Sequence, residues 1–193
     1  MAAQPDSLKV KMAPDDTIRE MTGDDLGSVI DIEIAAYEHP WTLGIFRDCL
    51  RVGYSCWVYQ HDKVVIAYGI VMLNGAEAHV LNLCVHPDYQ SRGIGRLMLD
   101  HLTQTASEAG ADTILLEVRQ SNIIAIQLYL SANFHQLGTR AGYYPDHDGR
   151  EDAIILAKSL ISDFDPMLGI YPAFLTRRRV ILVRHWFFGV KRG

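Results

Sequence analysis

The stretch from Val80 to Asp100, VLNLCVHPDYQSRGIGRLMLD, decides the fold class. It opens with an apolar run of strand length, Leu81 to Val85. A short turn containing Pro87 leads into the loop Gln90-Ser91-Arg92-Gly93-Ile94-Gly95, and an amphipathic helical pattern follows directly. Glycines let a backbone approach a ligand closely. A helix start offers unpaired N–H groups and the positive end of a dipole, a combination that binds phosphate. The unit therefore points to a ligand carrying a pyrophosphate, although an isolated pair of glycines reads first as an ordinary strand-to-helix turn. Two common nucleotide loops do not fit. The P-loop needs Lys-Ser or Lys-Thr where Arg96-Leu97 stand, and the dinucleotide fingerprint needs three glycines where this loop has two.

Working outward, the pattern predicts a first strand over Thr17 to Met21 and a helix capped by Thr22 and running to Ala36, with Asp24 and Asp25 in its first turn. Pro40 interrupts the next segment, Tyr37 to Trp41, because the residue before a proline is pushed away from the helical region. A second helix is expected over Leu43 to Arg51. Strands follow at Ser55–Gln60 and Val64–Leu73 around the polar turn His61-Asp62-Lys63, and then at Glu77–Val85. The helix after the glycine loop should end near Ala109, where Gly110 can take a C-terminal cap conformation. A strand over Asp112–Arg119, a helix over Asn122–Ala132, and strands over Phe134–Tyr143 and Ala153–Ala157 complete the order. Helices, then a meander, then alternating strands and helices imply an α/β (α+β) fold: one domain with a mixed, mostly antiparallel sheet and helices on both faces.

Composition narrows the class further. A chain of 193 residues suits one domain with appended ends, and a hydrophobic fraction of 49% supplies a core. The net charge of −5 argues against a general nucleic-acid binder, so no direct DNA binding is expected. Cys49, Cys56 and Cys84 lack metal or redox spacing, and the eight histidines form no ligand cluster, so no metal is expected. The N-terminus has no apolar signal segment, and no run approaches the roughly 20 apolar residues of a membrane span. Reduced thiols in a cytoplasmic protein are the expectation.

Three residues stand out chemically. Glu117 interrupts the apolar strand Ile114 to Val118, where a carboxylate is costly to bury unless paired or used. It reads equally as a general base and as a strand residue bonded to Arg119 or another cation. Tyr129, in an apolar helix, reads first as core filling and second as a phenol able to protonate a leaving thiolate. Asn122 opens that helix, as its cap or as a ligand contact.

These motifs carry a resemblance. The Q-x-x-G-x-G loop with its apolar strand is similar to the acyl-CoA pyrophosphate loop of the GCN5-related N-acetyltransferase superfamily. LEVRQSNIIAIQLYLSANF (Leu116 to Phe134), followed by RAGYYPDHDGREDAIILA (Arg140 to Ala157), resembles the bacterial ribosomal-protein alanine N-acetyltransferase branch. The similarity extends over about Thr17 to Leu160, and Tyr37 to Trp41 resembles the substrate-side loop of that branch. The resemblance implies acetyl transfer from acetyl-CoA to the N-terminal alanine of ribosomal protein eighteen of the small subunit. It implies Glu117 as proton acceptor and Tyr129 as proton donor. It also implies Leu83, Cys84 and Val85 as the cofactor-binding strand, Ser91, Arg92, Gly93, Ile94, Gly95 and Arg96 as the pyrophosphate loop, and Asn122 as a further cofactor contact. Members of the branch usually carry Gly where Asn133 stands, and Asn tolerates the left-handed conformation needed there. On the resemblance Tyr143-Tyr144-Pro145 reads as the wall of an acceptor groove, and equally as a packed strand end.

The expected organisation is a flexible arm over 1–15, an N-acetyltransferase domain over 16–160 and a basic, apolar extension over 161–193. That extension reads first as a solvated or self-packed tail and second as a contact for RNA, a membrane surface or a partner. Two rival functions stand beside the first: acetylation of other protein N-termini or small amines, and a non-catalytic acyl-CoA-binding module.

Overall fold

The computed structural model describes residue 12, residues 14–146 and residues 149–161. The expected arm over 1–15 and extension over 161–193 fall almost wholly outside the described residues, as does His147. The elements run β1 (Asp16–Glu20), α1 (Leu26–Ala36), α2 (Leu43–Val52), β2 (Ser55–His61), β3 (Val64–Asn74), β4 (Glu77–Val85), α3 (Ile94–Glu108), β5 (Thr113–Arg119), α4 (Ile123–Ser131), β6 (His135–Asp146) and β7 (Gly149–Ser159). Single 3-10 turns, Gly23–Asp25 and Pro87–Tyr89, precede α1 and α3. Seven strands form one sheet in the order β1-β2-β3-β4-β5-β7-β6. All neighbours are antiparallel except β4 and β5. The expected mixed, mostly antiparallel sheet with helices on both faces is what the chain forms.

Local chemistry explains the elements. Asp62 and Lys63 take positive φ, +48° and +67°, which closes β2 and β3 into a two-residue hairpin. The first helix begins later than expected because Thr22 and Asp25 build a tight 3-10 turn before it. The Asp25 carboxylate accepts hydrogen bonds from the Thr22 N–H (2.8 Å) and hydroxyl (2.9 Å). It also forms a bidentate pair with Arg19 on β1, at 2.6 and 2.8 Å. That pairing fixes the entry of α1 against the sheet edge. Gly53 (φ +85°) caps α2, Gly110 (φ +82°) follows α3, and Asn133 (φ +64°) follows α4 in the left-handed conformation expected for it.

The core lies on both faces of the sheet. On one face α1 and α2 bury Val29, Ile32 and Phe46 against Val58, Tyr68, Ile70 and Cys84. On the other, α3 buries Leu99, Leu102 and Ala106, and α4 Tyr129, over Val71, Val80, Ile114 and Leu116. The helix α3 sits so close to β3 that a Cβ on Gly69 would lie 2.9 Å from a Leu102 methyl.

Two irregularities prepare a site. A bulge on β4 sets Ile70 opposite Asn82 and Val71 opposite Val80, leaving Leu81 as the extra residue. Before the bulge Ala78 and Val80 face α3, and after it Leu83 does. Beyond the bulge β4 and β5 separate: their parallel pairing covers Glu77–Val80 against Thr113–Leu116 and stops there. The sheet is split between Leu81–Val85 and Glu117–Arg119.

Candidate active site

The split collects most of the residues singled out in the sequence. Leu83, Cys84 and Val85 lie on its β4 side, where β3 takes one edge of the strand and the other edge has no strand partner. Such an edge carries backbone N–H and C=O groups in strand spacing, ready to bond an extended ligand. The Cys84 side chain donates from its thiol to the Val85 carbonyl at 3.8 Å. It is buried toward α1, and burial with the nearby Glu33 pushes its thiol up to about 12. Cys49 and Cys56 are buried free thiols as well, pushed up by burial to about 11 and about 12. None has the depressed pKa of a nucleophilic cysteine.

The glycine loop follows at the end of β4. Gln90 donates to the Val85 carbonyl at 3.0 Å, which ties the loop to the strand. Ser91 and Gly93 take positive φ, +61° and +83°, and Gly93 caps α3. The Ile94 and Gly95 N–H groups at the first turn have no intrahelical acceptor. A Cβ on Gly95 would meet Leu128 and Val85 only at ordinary contact distances of 3.5 and 3.7 Å, so the protein's own packing does not demand glycine there. Two arginines in the loop have internal partners. Arg92 bonds the Asp88 carbonyl at 2.9 Å and lies over the Tyr89 ring. Arg96 pairs with Asp100 at 2.9 Å and reaches the Ser131 carbonyl at 3.3 Å. Asn122 takes the capping role, its side-chain oxygen accepting from the Ala125 N–H at 3.1 Å.

Glu117 is the first β5 residue beyond the paired segment, half-buried with its side chain 23% exposed. Its cation is Arg140 on β6, not Arg119. Arg140 Nη1 lies 2.8 Å from the carboxylate, but the N–H is not aimed for a directed hydrogen bond. Arg119 instead bonds Glu151 and the Pro145 carbonyl, both at 3.0 Å. Around Glu117 stand Tyr143, stacked under Arg140 at 4.9 Å, and Tyr144, whose hydroxyl donates to the Glu117 carbonyl oxygen at 3.1 Å. Burial, then the neighbouring Glu117 charge, pushes the Tyr143 phenol up to about 12. Burial holds His79 on β4 below its ordinary range, while Glu77 and Glu117 pull it up.

Tyr129 is buried between α4 and the sheet, with its ring 5.9 Å from that of Phe134. Core filling is therefore part of its role. Its hydroxyl bonds no group among the described residues, and burial pushes it up to about 12, so the phenol stays protonated through the neutral range. Tyr144 ties the two candidates together, since burial and then the fields of Tyr143, Glu117 and Tyr129 all push its phenol upward.

Arg140 and Glu33 did not emerge from the sequence as participants, and Tyr37 did so only as part of the loop Tyr37 to Trp41. Arg140 lay inside a quoted motif without a role. The Tyr37 hydroxyl donates to the Leu83 carbonyl at 3.4 Å. Glu33 on α1 is 1% exposed and accepts hydrogen bonds from the Trp41 N–H at 2.8 Å and from the Tyr68 hydroxyl. Its position four residues after buried Val29, on the apolar stripe of the helix, was the available signal. Among the described residues no group of three or more His, Cys, Asp or Glu is placed to hold a metal ion, and no helix is long and apolar enough to cross a membrane.

Comparison with known proteins agrees with this geometry. Residues 23–134 match the acetyltransferase (GNAT) family. The chain is 38% identical over 141 residues to the [ribosomal protein bS18]-alanine N-acetyltransferase of Escherichia coli K12, covering 73% of this chain and 95% of that one. The crystal structure of the ribosomal-protein-S18-alanine N-acetyltransferase from Escherichia coli superposes with a TM-score of 0.71 at 35% identity, over 78% of this chain and 99% of that one. Ard1 from Thermoplasma volcanium, at 23% identity, shares the fold with a TM-score of 0.70, over 77% of this chain and 99% of its own. A split sheet with a glycine loop at its end, together with this similarity across nearly the whole length of the relative, shows that the chain belongs to the acetyltransferase (GNAT) family and is an acetyltransferase.

Proposed function

We propose that this enzyme transfers the acetyl group of acetyl-CoA to the N-terminal alanine α-amine of a small-subunit ribosomal protein, the homologue of bS18. The observation that carries the reading is the split between β4 and β5. It has a backbone edge without a strand partner on one side, a carboxylate on the other and a helix N-terminus at its end. The donors fit acetyl-CoA: the Leu83–Val85 edge suits the amides of an extended pantetheine, and the Ser91–Gly95 backbone with the α3 N-terminus suits a pyrophosphate. The acceptor is supported by the relative, whose name states bS18 alanine as its substrate and which is matched over 95% of its length. A ribosomal-protein acceptor puts the reaction in the cytoplasm.

The mechanism assigned to these residues is direct attack. A peptide α-amine has an ordinary pKa of about 7.7–8.0, so at neutral pH most of it is protonated and unreactive. Glu117, directly or through a water, accepts the proton. Arg140 balances the carboxylate before the acceptor arrives, and the acceptor's ammonium takes over that balance as it enters. Backbone N–H groups of the β4 edge polarise the thioester carbonyl as negative charge develops on its oxygen. Tyr129, held protonated, gives its proton to the departing sulfur.

The test is mass spectrometry of the enzyme with acetyl-CoA and two peptides. One carries the N-terminus of the organism's own bS18, and the other has a blocked α-amine and a free lysine. One acetyl group on the alanine, with the control unmodified, is the expected result. Modification of the lysine peptide, or of neither despite acetyl-CoA binding, would reject the acceptor assignment.

A further inference from the structure

Glu33 is the most buried carboxylate among the described residues, and the proposed chemistry does not use it. An ionised carboxylate out of water costs several kcal/mol unless donors surround it. Here no Lys, Arg or His among the described residues forms an ion pair with it. Its hydrogen-bond donors are neutral: the Trp41 N–H of the loop between α1 and α2, and the Tyr68 hydroxyl of β3. The neighbouring Asn82 side chain of β4 also favours the charged form. A leucine at this point of the apolar stripe would fill similar space without that cost. The carboxylate is explained by what its bonds hold.

What they hold is the loop from Tyr37 to Trp41. The Glu33 backbone carbonyl accepts from the Tyr37 N–H at 3.0 Å, and its side chain accepts from the Trp41 N–H at 2.8 Å. One residue therefore pins both ends of the loop. Asn82 immediately precedes Leu83. The Tyr37 hydroxyl reaches the Leu83 carbonyl, and its phenol feels the Cys84 and Tyr129 side chains. The Trp41 ring packs on Phe46 with centroids 5.5 Å apart, so the fixed backbone also fixes an aromatic surface. The loop stands beside the acetyl-transfer residues on the α1 face of the sheet, the face that Glu117 shares with Leu115 and His79 by strand alternation.

We propose that Glu33 is a positioning residue for the acceptor: by pinning the Tyr37–Trp41 loop to β3 and β4, it fixes one wall of the groove that receives the peptide N-terminus. The inference deepens the proposed function and rests on its peptide acceptor. Acetyl-CoA binding, which relies on the β4 edge and the glycine loop, does not depend on Glu33.

The experiment is steady-state kinetics of the full chain with the alanine peptide and acetyl-CoA, each varied, for wild type, Glu33→Leu, Glu33→Gln and Tyr68→Phe. Losing a hydrogen bond to a charged group predicts a rise of about tenfold or more in peptide KM for Glu33→Leu, with a smaller fall in kcat. The KM for acetyl-CoA should stay within about twofold of wild type. Glu33→Gln keeps an oxygen for the Trp41 N–H and should recover most of the peptide KM, which a loss of general stability would not separate. An unchanged peptide KM, an equal rise in both KM values, or Glu33→Gln as impaired as Glu33→Leu would overturn the proposal. Should Glu33→Leu not fold, Tyr68→Phe carries the test, since it removes one hydroxyl and keeps the ring. A raised peptide KM at constant acetyl-CoA KM supports the proposal, and no change overturns it. Turnover by wild type with unaltered variants defeats the inference alone. No turnover by wild type with the alanine peptide defeats the functional reading and the inference with it.

Discussion

Glu117 and Arg140 meet at 2.8 Å beside the split, and this contact sets up a competition at the scale of single residues. In the proposed mechanism a base paired in the resting enzyme is released when the positively charged acceptor arrives, so its removal should be felt in turnover and not in cofactor affinity. Glu117→Gln is expected to lower kcat by about 10²-fold or more and to leave the acetyl-CoA dissociation constant unchanged, as measured by single-turnover rates beside calorimetric titration. Equal loss in both would make Glu117 a binding residue. Tyr129→Phe keeps the ring that packs on Phe134 and removes the hydroxyl. It should slow turnover with little change in the thermal midpoint, and a large fall in the midpoint would leave core packing as its whole role. The pH profile follows with a definite sign. The acceptor must lose a proton, so kcat/KM for the peptide should rise with pH and level off near about 8. Tyr129 must keep its proton, and with its phenol pushed up to about 12 it does so well past that point. No falling limb assignable to Tyr129 is expected below about pH 10.

At the scale of elements, the site depends on a bulge and a premature end to strand pairing. Leu81 shifts the alternation of β4 so that His79 and Cys84 share a face although one is odd-numbered and the other even, and β5 parts from β4 after Val80 and Leu116. The elements themselves were legible: β4 runs from Glu77 to Val85 as its apolar pattern indicated, and α4 lies between Asn122 and Ala132. The loop–helix unit was legible because glycine and a helix start leave a local signature. The partners were not. Glu117 pairs with Arg140 and not with Arg119, two residues on along the same face of β5, because once β6 and β7 fold back the two meet different neighbours: Arg119 is drawn to Glu151. That geometry arises from irregular β6 pairing around Ala141 to Tyr143, where Gly142 takes φ +56°, and no periodicity announces it. Asp25 was read as a helix-dipole residue, and its actual partner Arg19 sits on another element. This gives a stability prediction. Arg19 and the Thr22 donors hold the Asp25 carboxyl down at about 2, below its ordinary value, so its contribution is complete above about pH 4 and lost as pH falls toward 2. Asp25→Asn should cost about 1–3 kcal/mol at pH 7 by urea denaturation, and the gap from wild type should narrow at pH 3. A constant gap would show that packing, not charge, is responsible.

Over the whole domain, the sheet joins two helix layers, and α3 approaches β3 closely at Gly69. A Cβ at Gly69 would fall 2.9 Å from one Leu102 methyl and 3.3 Å from the Leu102 Cγ, and Leu102 is itself fully buried. With no space to turn into, α3 would have to lift from the sheet, and α3 carries the glycine loop at its N-terminus. Gly69→Ala should therefore destabilise the protein by about 1–3 kcal/mol, the usual cost of overpacking a filled core. It should also weaken acetyl-CoA binding, although Gly69 lies outside the site. A second consequence concerns where the folding unit ends. The last strand, β7, is paired on both sides, with β5 and with β6, and the Leu160 N–H returns to the Asp112 carbonyl at 2.8 Å, next to the start of β5. Among the described residues, every strand pair and both core layers are formed by residues up to that hydrogen bond. A chain comprising residues 14–161 is then expected to fold cooperatively, with a thermal midpoint within a few degrees of the full chain, since about 1 kcal/mol corresponds to only 2–8 °C for domains of this size range. It should acetylate the same peptide with the same KM for acetyl-CoA. Retained folding with a raised peptide KM would assign acceptor recognition to residues beyond 161, and loss of cooperative unfolding would show that the unit extends past β7.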